Sequence, residues 1–450
     1  MTIFELYKLF CEHPTVTTDS RDCPVGSLFF ALRGDTFDGN AYAQNALNAG
    51  CAYAVIDNPD FAADERMILV DNTLETLQSL ALHHRKTLNT KIIAITGTNG
   101  KTTTKELVAA VLSRKYKTLY THGNLNNHIG VPLTLLKLTA EHQIAVIEMG
   151  ANHPGEIRTL VNIALPNCGL ITNIGYAHLE GFGSIEGVQK TKGELFDYLR
   201  STGGIAFLNS DDKRLRTIAD GLETISYGIG VLGVDGNENP DIKGEIVDTE
   251  PYLSFGVKVC WKQVTFNTLT LITKPETLNI VSTRLVGAYN IHNVLAAVTA
   301  GLFFEVEQEQ IITAISTYEP SNNRSQMKQT AHNTLIIDAY NANPSSMQAS
   351  LSNFVALKAE KKAVILGDML ELGTESTVCH AEIMEIANKS SFDLTILCGK
   401  NFTAVSPPDS LCFETADSLA GYLKSNKLQH YTILIKGSHG IHLEKIIDLL

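Results

Sequence analysis

The sequence predicts an α/β protein of three units. They are a small α/β unit over residues 1–88, a central unit over 89–317 with a mostly parallel sheet and a phosphate-binding loop, and a Rossmann-like α/β unit over 318–450. Three observations predict this. The apolar, β-branched run Ile92-Ile93-Ala94-Ile95 has the character of a strand buried on both faces, and it leads straight into Gly97-Thr98-Asn99-Gly100-Lys101-Thr102. Strand-like and helix-like patterns alternate after that loop, as a parallel sheet covered on both faces requires. In the last third, the runs Leu335–Asp338, Ala363–Gly367, Leu394–Cys398 and Thr432–Lys436 recur at helix-length spacings. A chain of 450 residues has room for about three domains, each able to bury its own core.

Composition narrows the class of function. With 44% hydrophobic and 19% charged residues the chain is globular and not disordered. A net charge of −12 argues against a nucleic-acid partner, so any anionic nucleotide must be held by local basic and N–H groups. No run of about 18 apolar residues occurs, and the start Met-Thr-Ile-Phe-Glu-Leu-Tyr-Lys-Leu-Phe lacks the basic, apolar and small-residue order of a cleaved leader. The expectation is a cytoplasmic protein without membrane insertion. Its 8 cysteines include no C-x-x-C pair, so free thiols are expected, with neither a disulfide framework nor a zinc site.

In the first unit, Ser27–Leu32 and Ala52–Ile56 read as strands, Gly34–Gly39 as a turn-rich loop and Leu74–Leu88 as a helix. Asp19-Ser20-Arg21 reads either as a capped turn with a surface arginine or as a contact to phosphate or base. In the phosphate loop, Gly97 and Gly100 let the backbone approach phosphate oxygens. Lys101 supplies positive charge, and the Thr102 hydroxyl can take a magnesium position. Leu107, Val108, Val111 and Leu112 then mark a helix whose N-terminal dipole also favours phosphate. The longer G-x-x-x-x-G-K-T form would need glycine where Ile95 stands, so this is a shortened variant.

Further along, the loop 120–132 carries three Asn and two His between His122 and Gly130, which suggests a site. Glu148 ends the buried run Ile144–Ile147. It either presents a ligand beside the phosphate loop or caps a helix starting near Pro154. His178 follows another strand, and Lys192 opens a helix; singly, each reads as structural or solvated. The strands expected over 252–259 and 264–272 alternate polar and apolar residues, as half-exposed antiparallel strands do. Asn290, His292 and Asn293 either cap a helix or recognise a base edge. In the last unit, polar loops follow the strands at 338–344, 367–373 and 436–440, where substrate groups are expected. No G-x-G-x-x-G is present to support a dinucleotide site.

In this order the chain resembles the Mur ligases over essentially its whole length. The resemblance is carried by GTNGKTTT at 97–104, GNLNNHIGVP at 123–132, EMGANHPGEI at 148–157, AHLEGFGS and KTKGELF within 177–196, GAYNIHN at 287–293, DAYNANPSSM at 338–347 and GDMLELG at 367–373. The phosphate loop and the His178 and Lys192 pair fit the superfamily generally. The NNxIGxP, YNANP and GDMLELG segments resemble the branch that acts last in adding amino acids.

The resemblance implies an ATP-dependent ligase whose C-terminal unit closes over ATP and an amine. It implies UDP-N-acetylmuramoyl-tripeptide and D-alanyl-D-alanine as substrates, two Mg2+ ions, and a monomer. Ser20 and Arg21 match the uridine-diphosphate contact region. Gly97, Thr98, Asn99, Gly100, Lys101, Thr102 and Thr103 match the ATP phosphates' loop, Asn290 and Asn293 the adenine side, and Arg324 and Asp338 the phosphates and ribose. Thr102, Glu148, His178 and Lys192 match metal positions, with Lys192 at the lysine that becomes carbamylated. Lys101, Lys192, His178 and Arg324 are the catalytic set; Asn126, Asn127, Tyr340, Asn341 and Asn343 are the remaining substrate candidates. Other readings are a ligase adding a diamino acid to the dipeptide precursor, one adding glutamate to folate, and a nucleotide-driven switch without ligase chemistry. Two positions depart from the family: Asn40 stands where Asp-Gly-His is frequent, and His439 where Lys-Gly-Ser-Arg is frequent. Histidine lacks arginine's planar fork for a carboxylate.

Overall fold

The computed structural model describes residues 1–230, 240–259, 263–266, 269–272, 276–320 and 324–450. Three large sheets follow one another along the chain. The first is parallel throughout: Val16–Thr17, Leu28–Phe30, Tyr53–Ile56 and Met67–Leu69, in that order. Its two outer strands are too short for any periodicity to announce. Within the turn-rich loop, Arg33–Gly34 pairs with Phe37–Asp38 as a small hairpin. The helix Thr73–Thr87, capped by the Asn72 side chain, leads to the second unit. There Arg85 Nε donates to the Ala164 carbonyl at 2.9 Å and Gln78 Nε2 to the His128 carbonyl at 3.0 Å.

The second sheet has nine strands. From one edge they run Thr118–Tyr120, Ile144–Glu148, Lys91–Thr96, Cys168–Ile171, Ile205–Asn209, Thr224–Gly228 and Ile242–Asp248, all parallel; Ser254–Val259 and Glu276–Ser282 then extend it antiparallel. The strand expected over 252–259 is therefore next to the far edge of this sheet, beside Glu276–Ser282. The run 264–272, expected as one strand, is instead Gln263–Phe266 paired antiparallel with Leu269–Ile272, and residues 267–268 between them lie outside the described residues. Ile92, Ile93, Ala94 and Ile95 are fully buried because helices cover both faces; each such isoleucine contributes roughly 1.5–3 kcal/mol.

The third sheet runs Gln326–Gln329, Thr334–Asp338, Thr432–Lys436, Lys362–Gly367, Leu394–Cys398 and Leu411–Phe413, parallel except for its first pair. The last strand in sequence thus sits near the middle. That crossover brings the loops after 338, 367 and 436 side by side at the strands' C-terminal ends, where α/β sheets bind ligands.

Candidate active site

The phosphate-loop strand Lys91–Thr96 lies between two strands that end at its level: Ile95 is paired with Glu148 and Thr96 with Ile171. Sheet register alone therefore puts Glu148 on one side of the loop and Thr172–Gly175 on the other. Gly97 has φ 143°, and a Cβ there would meet Thr172 Oγ1 at 1.9 Å; Gly100 has φ 78°, and a Cβ there would lie 2.5 Å from Asn293 Oδ1. Both positions demand glycine for conformation and for space. Lys101 Nζ donates to the loop carbonyls of Gly97 (2.8 Å) and Thr98 (2.9 Å). Burial, reinforced by the Arg324 charge and opposed by Glu148, pushes its pKa down to about 8. Thr98 is tied to Gly175 through its hydroxyl, and Thr103 lines the cavity described below.

Glu148 is buried. Its Oε1 accepts from Thr102 Oγ1 (3.2 Å) and Asn126 Nδ2 (2.8 Å), and its backbone N–H donates to Thr121 Oγ1 (3.0 Å). Its Oε2 has no hydrogen-bond partner, and Lys105 Nζ is 3.9 Å away. It does not cap the helix Glu156–Ala164, because there Glu194 receives the N–H groups of Gly155 and Arg158. A half-satisfied buried carboxylate beside a threonine hydroxyl fits magnesium, which takes few protein ligands and completes its shell with water and phosphate oxygens. No cluster of three or more His, Cys, Asp or Glu side chains suited to a metal occurs among the described residues.

His178 turns its Nδ1 to the Glu371 carboxylate in the loop after Gly367, and both residues have positive φ, 50° and 64°. The hydrogen bond from His178 holds the Glu371 carboxyl below its usual range. Lys192 is buried in the helix Ile185–Thr202, its nitrogen 5.6 Å from the centre of the Phe182 ring. Burial, with Lys101 adding to it, drives the Lys192 pKa well below that of an ordinary lysine. Lys192 is not part of the cavity wall, whereas His178 is.

Across the cavity, the Arg324 guanidinium stacks 3.8 Å from the centre of the Tyr340 ring, and its buried Nε has no partner. Lys436 Nζ donates to Asp338 Oδ2 at 2.6 Å, and Ser350 Oγ donates to the same oxygen at 3.2 Å. The sequence marks 436–440 as a substrate loop without singling out Lys436. The signal was a charge ending a buried strand of a parallel sheet, the place where Asp338 also sits. Asp211 was missed as well; its Oδ2 accepts from the Ile229 N–H and lies 2.8 Å from His292 Nε2.

These groups line one cavity of about 1140 Å³. It takes in Thr98–Thr103, Asn126, Asn127, Glu148, His178, Asn290, Asn293, Arg324, Asp338, Tyr340, Asn341 and Lys436. Asn290 and Asn293 form a relay in its wall: Asn290 Nδ2 donates to the Val286 carbonyl, Asn293 Nδ2 to Asn290 Oδ1, and Thr104 Oγ1 to Asn293 Oδ1. Asn127 Oδ1 caps its own turn through the N–H groups of Ile129 and Gly130. Asn343 lies outside the lining, with its side chain spent on Asn99 and on its own helix. Ser20 and Arg21 are outside it too, Arg21 being folded bidentately onto Asp19. Of the two departures, buried Asn40 bonds Asp38, Asp57 and the Asn58 N–H, while His439 packs edge-on against Tyr340, ring centres 5.5 Å apart.

A phosphate loop with a half-free carboxylate at its mouth, faced across one cavity by an arginine and a lysine from a second α/β sheet, defines a nucleotide-using group-transfer enzyme of several units. The chain belongs to the Mur ligase family: the Mur ligase catalytic-domain model matches residues 14–85, the middle-domain model 95–301 and the glutamate ligase domain model 323–438. It is 35% identical to the UDP-N-acetylmuramoyl-tripeptide--D-alanyl-D-alanine ligase of Escherichia coli K12, covering 97% of this chain and 93% of that protein. Against the Bacillus subtilis ligase of the same name it is 33% identical, with 97% and 93% covered. Among solved structures it is similar to MurF from Acinetobacter baumannii (TM-score 0.82, 30% identity, 97% and 93% covered). It also shares its fold with the Thermotoga maritima MurF ligase solved with ADP (TM-score 0.81, 23% identity, 97% and 96% covered). The chain has the three-domain α/β fold of these ligases, as the sequence led one to expect, and it is an ATP-dependent amide-forming ligase.

Proposed function

We propose that this protein joins D-alanyl-D-alanine to UDP-N-acetylmuramoyl-tripeptide, making the pentapeptide precursor of peptidoglycan. The whole-length likeness to the Escherichia coli ligase carries the proposal. A carboxylate is a poor electrophile, so an amide cannot form from it at a useful rate without activation. The tripeptide's terminal carboxylate attacks the γ-phosphorus of ATP, ADP leaves, and an acyl phosphate forms. The neutral amine of D-alanyl-D-alanine attacks the acyl carbon, the C–N bond forms with loss of the amine proton, and phosphate leaves.

The protein's part is to position these groups and offset their charge. Loop N–H groups, Lys101 and Arg324 receive the phosphates. Asn290 and Asn293 face the adenine side, and Asp338 the ribose. Thr102, Glu148, His178 and Lys192 are the groups that would hold Mg2+. When bound, magnesium would offset phosphoryl charge during transfer. The neutral Lys192 amine favoured by burial is the form that adds carbon dioxide, releasing a proton and leaving an anionic carbamate. Tyr340 and Asn341 border the amine and acyl side, while Ser20 and Arg21 would meet the uridine diphosphate only as that unit engages its ligand. We propose domain limits at 1–88, 89–317 and 318–450, supported by three sheets and three family models. We place the activity in the cytoplasm, where ATP and UDP-linked precursors are made. We propose a monomer, since one chain supplies every residue named here.

The test is ADP release with Mg2+ and ATP across a matrix of UDP-muramoyl precursors and amine donors. Release that requires both the tripeptide precursor and D-alanyl-D-alanine is expected. Turnover with the dipeptide precursor and a diamino acid would move the protein one step earlier.

A further inference from the structure

Asn99 of the phosphate loop reaches the C-terminal unit through its side chain, with partners 244 and 246 residues away in sequence. Asn99 Oδ1 accepts from Asn343 Nδ2 at 2.7 Å, and Asn99 Nδ2 donates to Ser345 Oγ at 3.0 Å. Its backbone is engaged from the other side. The Asn99 N–H donates to Asn173 Oδ1 (3.0 Å), and the Asn99 carbonyl accepts from Thr172 Oγ1 (2.6 Å) and Asn173 Nδ2 (3.0 Å). One residue is thus held by the central sheet through its main chain and by the C-terminal unit through its side chain.

The partner group is equally defined. Asn343 is buried and caps the helix Pro344–Ala356, its Oδ1 accepting from the Ser346 N–H and from Ser345 Oγ, both at 2.9 Å. The cap fixes the side chain's orientation and leaves Nδ2 aimed at Asn99. Ser345 seats as closely: a Cβ built on Gly175 would lie 3.2 Å from Ser345 Oγ, and the Gly175 N–H itself donates to Thr98 Oγ1 at 2.9 Å. All the groups are neutral, so the contact can form and break without stranding a buried charge. The carbonyls of Gly97 and Thr98, which hold Lys101 Nζ, immediately precede Asn99. Moving Asn99 moves the lysine's support.

We propose that Asn343 and Ser345 are positioning residues that act through Asn99: docking of the C-terminal unit sets the phosphate loop and Lys101 in the transfer-competent arrangement. This rests on the ligase reading above. With the clasp alone broken, the loop N–H groups, Arg324 and Asp338 still hold ATP, but phosphoryl transfer waits for the clasp, which limits hydrolysis in the absence of a closed, substrate-filled cavity. The clasp therefore acts on kcat and leaves KM for ATP nearly unchanged.

A double-mutant cycle tests this on the full chain. Asn343→Ser keeps an N-cap acceptor, since serine caps as well as asparagine, but its side chain is too short to reach Asn99. Asn99→Ala removes the other half, and Ser345→Ala is a second probe that leaves the cap intact. Each of Asn343→Ser and Asn99→Ala is expected to lower kcat about tenfold, with KM for ATP within about twofold and a melting temperature lowered by no more than a few degrees. The double variant should also lose about tenfold, because both changes break one contact. Losses that multiply to about a hundredfold, or wild-type kcat in both Asn343→Ser and Ser345→Ala, would overturn the clasp. Wild-type enzyme that fails to turn over with both substrates would instead indict the assigned reaction.

Discussion

The mouth of the phosphate loop and the N-terminal turn around Asp19 and Arg21 both show charged and polar side chains in loops after or before strands, and the two regions treat them in opposite ways. At the loop, polar potential is buried and partly unmet: Glu148 Oε2 and Arg324 Nε lack hydrogen-bond partners, and the Lys192 nitrogen has an aromatic ring for a neighbour. In the N-terminal unit, polar groups satisfy one another. Arg21 pairs with Asp19, and Asn40 ties Asp57 while Arg33 and Thr73 complete its shell. An unmet buried polar atom costs free energy that only a ligand can recover, whereas a closed network holds a fold together without one. The difference marks the first region as open to a guest, while the second has its polar groups closed on one another.

The largest effect that would break this comparison is at Lys101. Lys101→Ala should lower turnover on the order of 10³-fold, read as ADP release with saturating substrates; normal release would show that the loop's charge is not used. Lys192→Ala should follow, with a loss of about 100-fold or more, and a small carboxylic acid should restore part of the rate by refilling the anionic position. Full activity without rescue would remove the carbamate from the scheme.

Next comes a proton count. In the free protein Lys101 loses its proton at about 8 and not near 10.5, so above pH 8 the native state is neutral there while the unfolded chain is still charged. The unfolded state then binds more protons, and this group's contribution to stability rises with pH between those values. Phosphate binding favours the charged lysine. An ATP analogue without magnesium should therefore take up a proton on binding above pH 8, and its affinity should fall by up to about tenfold per pH unit. Calorimetry in buffers of different ionisation enthalpy measures that uptake, and none at pH 9 would mean the lysine is already charged.

Asn40→Ala sharpens the other half of the comparison. It strands the Asp57 N–H and two carboxylates and should cost about 3 kcal/mol of stability, read in denaturant melts, while leaving kcat intact. Burial pushes the Asp57 carboxyl up, and hydrogen bonds from Asn40 and Thr73 with the Arg33 charge outweigh it, so the net shift is downward. The stability that Asp57 contributes is present at neutral pH and fades as pH falls through its lowered value, and Asn40→Ala should erase much of that acid dependence. The smallest effect is at Arg21. Arg21→Ala should leave the melting temperature unchanged, because an exposed ion pair stabilises little. A raised KM for the UDP-linked substrate alone would show that the arginine swings from Asp19 to a diphosphate.

Much of the core was legible in advance. Ile92–Ile95, Ile144–Ile147 and the four runs of the last unit are apolar enough to mean buried parallel strands, and those are the strands that form. Strands of two or three residues, such as Val16–Thr17 and Leu411–Phe413, are below the length at which periodicity speaks. The run at 264–272 misled because alternation is shared by one strand and by two paired ones.

By itself the sequence determined where a phosphate-loop conformation forms, since Gly97, Gly100 and Lys101 act through local backbone conformation and spacing. Only the tertiary structure decided which distant side chains face them. Glu148 reaches the loop because sheet register pairs its strand with Ile95, and Lys436 reaches Asp338 because the last strand inserts beside Thr334–Asp338. Asn343, which looked like a substrate group, is instead turned to Asn99 by its own helix cap. Local chemistry depends on neighbours in the chain and can be read there; contacts between strands and between units depend on register and docking, which no short stretch of sequence encodes.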